Sequence, residues 1–233
     1  VRRARPVNRH ESAHLISQYD GAIAYLDSEL EQLFQRLRSL GLFENSLIII
    51  TSDHGEAFGE NSVVGHRVSL YQHQIDVPLI VKFPQAATGG VVEGLTSGVD
   101  ILPTVADVIG APMPPKLEGR SLRHLDGLAS RWVTSESFQP RGPGFTSKDE
   151  RPTEMALFSG TLKLILGAGG GIELYDLSAD PKEHVNLFGR HVVPREWISK
   201  LMSDMNEAGA GTGTHPVTDP DVLGRLRALG YIR

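Results

Sequence analysis

No cysteine occurs among the 233 residues. Disulfides, thiolate metal ligands and a cysteine nucleophile within this chain are therefore excluded. The absence does not fix a compartment, because cytosolic and exported proteins can both lack cysteine. No apolar run approaches the ~20 residues that a membrane helix needs, so no transmembrane segment is expected in this chain. There is no dense Lys/Arg block, and the formal net charge is −5. Binders of a phosphate backbone usually carry a basic face, so nucleic acid is not an expected partner. The basic opening VRRARPVNRH is short and reads as a solvated end. The first residue is Val, and no signal-like apolar stretch follows; a cut or processed product is the expectation. The Gly-rich stretch at 168–171 lacks the strand-to-helix context and the lysine of a phosphate loop, and reads as a turn.

What is present is ordinary globular material, 40% hydrophobic and 22% charged, of a length that fits one large domain or a domain and a half. From Glu11 to Leu40 apolar residues recur in steps of three and four, through Leu15, Tyr19, Ile23, Leu26, Leu30, Leu33, Phe34 and Leu37. This spacing predicts one long helix closed by Gly41, with Leu30, Leu33 and Leu37 in the core against a sheet. The stretch LIIITSDHGE (47–56) then reads as a fully buried strand ending in polar residues, and VPLIVKF (77–83) as a second apolar strand. Helix, tight loop and solid strand point to an α/β unit with a covered sheet.

Asp100 is a plausible N-cap for a short helix whose stripe is Leu102, Val105, Val108 and Ile109, ending at Gly110. The proline-rich connector at 111–119 is the candidate subdomain boundary. Beyond it the runs WVTSES, MALFSGTLKLILG and ELYDL suggest a small antiparallel sheet, with a hairpin turn at Ser159-Gly160. A helix over 195–208 is expected to pack Trp197, Ile198, Leu201 and Met205 on one side. The last stretch reads as a flexible run at 209–220, then an apolar tail that docks.

Ligands of doubly wound sheets sit outside the carboxyl ends of strands, where Asp53 and His54 stand. A carboxylate and an imidazole converging there suit Mn, Zn or Fe(II), and less often Ca. The plainer alternative is that Asp53 caps the turn and His54 is a satisfied surface histidine. Glu56 reads as a supporting or turn residue. His66 and Arg67, in the loop before the next strand, could hold an anionic group or be an ordinary surface pair. His10, His14, His73, His124, His184, His191 and His215 show no metal-like spacing.

Together YDGAIAYLDSELEQLFQRL, LIIITSDHGEAFGE, GHRVSLYQHQIDVPLIV, SGVDILPTVADVIG, LEGRSL and ELYDLSADPKEHVNL resemble, in this order, the sulfatase family of the alkaline phosphatase superfamily. The closing LRALGYIR is similar to tails in that family. The resemblance covers most of residues 12–190 and matches the C-terminal half. It implies an α/β fold: the C-terminal part of an alkaline-phosphatase-like mixed sheet with flanking helices, plus a small antiparallel C-terminal subdomain. Residues 1–112 would belong to the α/β core and 113–233 to the α+β subdomain with its tail.

The resemblance further implies a metal-dependent sulfuric ester hydrolase. One divalent metal ion would be held by Asp53 and His54 with two early acidic residues; Ca suits all-oxygen sites, and Mn or Zn is favoured by His54. His66 or Arg67 would bind the sulfate (or phosphate) ester substrate, with His66 preferred. The nucleophile, a formylglycine, is expected upstream and not in this chain, which is expected to be inactive alone. Phosphate or phosphonate ester hydrolysis, and a non-catalytic sulfatase-like module, are the competing readings. Localisation leans to periplasmic or secreted.

Overall fold

The computed structural model describes residues 7–66, 69–113, 115–126, 128–138, 152–167, 171–210 and 224. The described chain forms two compact units: Val1–Arg67 with Asp76–Asp126, and Val68–Ile75 with Gly127–Arg233.

The first unit opens with α1 (Arg9–Ser39). Its start is fixed by a capping box. The Asn8 side chain accepts from the backbone N–H groups of His10 and Glu11 at 2.9 and 3.0 Å, and Glu11 accepts from the Asn8 N–H at 3.0 Å. At the other end Gly41 takes φ +67°, the left-handed conformation that stops a helix. The core expectation for this helix fails. None of its residues is buried, Leu33 is 51% exposed, and Leu30 and Leu37 are only half-buried. Periodicity defines an apolar face but cannot say what covers it.

Strand β1 (Ile48–Thr51) pairs antiparallel with β4 (Leu79–Lys82), Ile49 opposite Val81 and Ile50 opposite Ile80. Between them β2 (Ala57–Phe58) and β3 (Val64–Gly65) make a second, minimal ribbon. The fully buried reading of β1 is also corrected: Ile48–Ile50 are half-buried and Ile80 is 59% exposed. Among the described residues each of β1 and β4 has one strand partner. The Lys82 ammonium closes the end of this ribbon, donating to the carbonyls of Phe43, Glu44 and Ser46 at 2.5, 3.0 and 3.2 Å. Tyr19 of α1 meets Phe58 edge to face, with ring centroids 5.2 Å apart.

Helix α3 (Ile101–Ile109) ends at Gly110 (φ +67°) as expected, but buries a different face. Pro103, Thr104 and Ala106 are inside; Leu102 and Ile109 are exposed, and Val105 and Val108 half-buried. Asp100 stands at the N-cap position of α3 as expected, but its side chain makes no cap hydrogen bond to that helix. Its carboxylate, fully buried, accepts the Ser97 N–H at 2.8 Å and the Arg120 N–H at 3.0 Å. The Thr104 hydroxyl donates to the Asp100 carbonyl at 2.6 Å and accepts the Leu122 N–H at 2.8 Å. The loop at 119–122 is thus held by backbone donors, and Gly119 lets it approach: a Cβ there would lie 2.0 Å from the Val99 carbonyl oxygen.

In the second unit α2 (Gln72–Ile75) precedes a four-stranded antiparallel meander: β5 (Trp132–Ser137), β6 (Glu154–Ser159), β7 (Leu162–Gly167) and β8 (Ile172–Asp176). The antiparallel sheet and the turn at Gly160 (φ +57°) agree with the sequence reading. Met155, Leu157, Leu164, Leu166 and Leu174 on one face pack with Val193 and with Trp197, Ile198 and Leu201 of α4 (Arg195–Ala210). The Met205 side chain, residues 168–170, the run at 211–220 and all of the tail but Gly224 lie outside the described residues.

The other face of the same sheet is polar and still covered. Register places Phe158, Lys163 and Tyr175 in one row, and Glu154 and Glu173 on the same side. Glu173 accepts from the Tyr71 and Tyr175 hydroxyls at 3.0 and 2.5 Å. Burial, and then the Glu173 charge, push the Glu154 carboxyl above the usual carboxylate range.

These contacts set the stability effect of three substitutions. Asp100→Ala strands two N–H donors and should cost about 2–5 kcal/mol in urea unfolding; Gly119→Ala should act in the same direction. Glu154 binds its proton more tightly folded than unfolded, so its contribution is full below the ordinary carboxylate pKa and is lost as pH rises from there through the raised folded value. Glu154→Gln should therefore raise the urea midpoint at pH 7.5 and leave it unchanged at pH 4.

Candidate metal and anion site

Within the first unit, the end of β1 and the β2–β3 ribbon converge on one cluster. Asp53 and His54 leave β1 in a turn set by their own polar groups. The Asp53 carboxylate accepts the His54 N–H at 3.0 Å, and the Ser52 hydroxyl donates to the His54 carbonyl at 2.7 Å. The His54 Nδ1 lies 2.8 Å from the Gly55 carbonyl oxygen. A carbonyl only accepts, so Nδ1 carries the proton and Nε2 keeps its lone pair in the neutral ring. That Nε2 is 3.7 Å from Asp53 Oδ2, close to the spacing of neighbouring donors about a cation with ~2.0–2.2 Å bonds.

The ribbon brings His66 to the same place. With Ala57 paired to Gly65, the next residues outward are Glu56 and His66. Their side chains meet, His66 Nδ1 lying 3.3 Å from Glu56 Oε2. The His66 ring then stacks on His54, with centroids 4.4 Å apart and planes inclined by 26°. Gly65 sits at φ +82°, so a side chain there would be strained, although a Cβ would only reach ordinary contact with Glu56 Oε1 at 3.5 Å.

Asp53, His54 and His66, chosen from the sequence, thus stand together, with the Glu56 carboxylate against His66. Arg67 lies outside the described residues. Sequence reasoning did not reach the Ser52 hydroxyl or the Glu56–His66 contact; the second depends on a pairing of two-residue strands that carries no periodic signal. Carboxylate plus lone-pair imidazole is a fitting donor pair for a divalent cation. No cluster of three or more His, Asp or Glu side chains suited to a metal occurs among the described residues.

Comparison with known proteins places the chain in a family. A model described as N-sulphoglucosamine sulphohydrolase, C-terminal, matches residues 59–210, and the sulfatase model matches residues 2–111. The chain belongs to the sulfatase family. This sulfatase chain is 29% identical to arylsulfatase K of Bos taurus over 91% of its own length and 40% of that protein. It is 27% identical to the multifunctional alkaline phosphatase superfamily protein PehA of Trinickia caryophylli, over 91% of itself and 44% of PehA. Among solved structures it superposes on the phosphonate monoester hydrolase of Agrobacterium radiobacter with a TM-score of 0.66 and 27% identity, over 82% of this chain and 41% of that one. The sulfatase chain therefore spans about two fifths of the length of these relatives. The alkaline-phosphatase-like fold expected from the sequence agrees with these matches. Membership implies a divalent metal and, generally, a formylglycine.

No helix among the described residues is long and apolar enough to cross a membrane.

The ribbon's role can be tested at its glycine. Gly65→Ala should cost about 1–2 kcal/mol through its positive φ. It should also abolish the contacts between the His54 and His66 rings, read as lost ring-to-ring nuclear Overhauser effects.

Proposed function

We propose that this chain is the C-terminal part of a metal-dependent sulfuric ester hydrolase. Asp53 and His54 supply part of the cation site, and His66, with Arg67, contacts the anionic group of the ester. The observation that carries the reading is the His54–His66 stack. It sets an imidazole that can donate to an anion beside the donor pair suited to a cation. A bound divalent ion would neutralise charge on the transferring group. The chain's own residues hold the rest in place: Gly55 fixes the His54 tautomer, and Glu56 holds His66 through Nδ1, leaving Nε2 for the substrate. The imidazole ligand favours Mn or Zn over Ca. The remaining acidic ligands and the formylglycine nucleophile would come from outside this chain, which spans about two fifths of the length of its relatives.

A second reading, hydrolysis of phosphate or phosphonate esters, draws support from the likeness to PehA and to the phosphonate monoester hydrolase. Phosphate monoesters carry more negative charge than sulfate monoesters at neutral pH, so they need more fixed positive charge around the anion.

The purified chain should show no turnover of an aryl sulfate or a phosphonate monoester. Hydrolysis by this chain that Asp53→Ala abolishes would sink the division of labour proposed here. In a longer gene product, Asp53→Ala and His54→Ala should each lower kcat/KM by roughly a hundredfold or more. The ratio of sulfate to phosphonate turnover decides between the two readings.

A further inference from the structure

Three consecutive residues of the second unit are held by carboxylates of its own sheet and of the turn that follows it. The Leu70 N–H donates to Glu154 of β6. The Tyr71 hydroxyl donates to Glu173 of β8 at 3.0 Å, and the Gln72 N–H to Glu183, after β8, at 2.6 Å. Leu70 is buried, so its amide meets that carboxylate in place of water. The three carboxylates are not equally compensated. Lys163, fully buried in β7, donates to Glu183 at 2.5 Å and to the Gln72 side-chain oxygen at 3.2 Å. Glu173 is met by the hydroxyls of Tyr71 and Tyr175, and Glu154 by an amide. Neutral donors hold a carboxylate less firmly than an ammonium does. Ionising Glu154 therefore adds a second negative charge, in reach of Glu173, to a covered face. The Leu70 N–H and the Lys163 charge favour that ionised form, but burial and then Glu173 oppose it and prevail.

We propose that residues 69–75 form a pH-sensitive strap on the polar face of this sheet, closed while Glu154 is protonated and loosened as Glu154 ionises. The strap touches Glu154 through Leu70 and helps to keep it from water, so the closed form binds the proton more tightly than the opened one. The extra stability of the closed form is full below the ordinary carboxylate pKa and is lost as pH rises through the raised value. The opposite face of the sheet, packed on α4 through Met155, Leu157 and Leu164, does not take part. Opening is therefore local. Among the described residues, the titratable groups around Glu154 and the strap are Glu173 and Tyr175 on β8, Lys163 on β7, Glu183, and the strap's own Tyr71 and His73. Ser137, opposite Glu154 on β5, carries no charge. Burial, and then Glu173, push both tyrosines up, so neither ionises where Glu154 does. His73 stacks on Tyr71 with centroids 5.8 Å apart and is the rival source of a pH effect.

The test follows amide exchange of the isotopically labelled chain in steps from pH 5 to pH 7.5, corrected for the intrinsic exchange rate. Protection of the Leu70 and Gln72 amides should fall at least roughly threefold across that range, while that of Leu157 and Leu164 holds. The Glu154 carboxyl carbon should titrate with the same midpoint as the loss of protection. In Glu154→Gln, which keeps a neutral acceptor for the Leu70 N–H, the fall should disappear. A fall that persists in this variant would overturn the proposal and point to His73 instead. Protection lost at Leu157 and Leu164 in step with Leu70 would overturn it as well, because the whole unit would then be opening. Constant protection at Leu70 would do the same. If Glu154→Gln does not fold, the unsubstituted chain decides: coincident midpoints support the strap, and separate ones reject it.

Discussion

Backbone N–H groups that have lost access to water must be met by something, and in this chain two buried carboxylates meet them. Asp100 receives the Ser97 and Arg120 amides in the first unit, and Glu183 receives the Gln72 amide in the second. Each joins segments far apart in sequence, and neither belongs to a regular ladder. Loops in small domains are usually the soft parts. Here the loop at 119–122 and the segment at 69–75 are made definite by charge-assisted hydrogen bonds, which are about twice as strong as neutral ones. The rest of the local architecture follows. Gly119 is required by close approach to Val99, and the Thr104 hydroxyl relays between the α3 backbone and Leu122.

The cluster at Asp53, His54, Glu56 and His66 is built by a different economy of parts. Its side chains lie near one another in sequence, and short-range polar contacts fix most of their geometry. Only the step from Glu56 to His66 needs a fold, and one strand pair of two residues a side suffices for it. Such a site can be shaped precisely by few residues, yet it depends heavily on each, above all on the positive φ of Gly65.

Much of this was legible from residue order alone. Turn chemistry gave the ends of α1 and α3 at Gly41 and Gly110, and the β6–β7 turn at Gly160, because each position needs a backbone that glycine adopts freely. The Asp53-His54 pair stood out because an apolar run stopped there. The failures have one physical source: a pattern of apolar residues marks a face without naming its cover. Leu33 and Leu102 belong to regular stripes and are exposed, whereas Pro103 and Thr104 are buried because hydrogen bonds draw that side inward. Lys163 is the same lesson reversed. In LKLIL (162–166) a lysine at alternate spacing ordinarily marks a wet face, but here both faces of the sheet are covered and the lysine has a carboxylate to meet.

The β1–β4 ribbon carries a consequence for handling this chain. Both strands are rich in isoleucine, leucine and valine, and among the described residues each is hydrogen-bonded on one side alone. The outer side of each strand offers a row of amide donors and acceptors in register, the surface on which another extended segment can add itself. Lys82 and the polar turn at Ser52–Glu56 stand at the ends of this row rather than along it, so no charge interrupts Ile48–Ile50 or Leu79–Val81. At high concentration the ribbon is where chain-to-chain strand addition, and from it fibril growth, would begin.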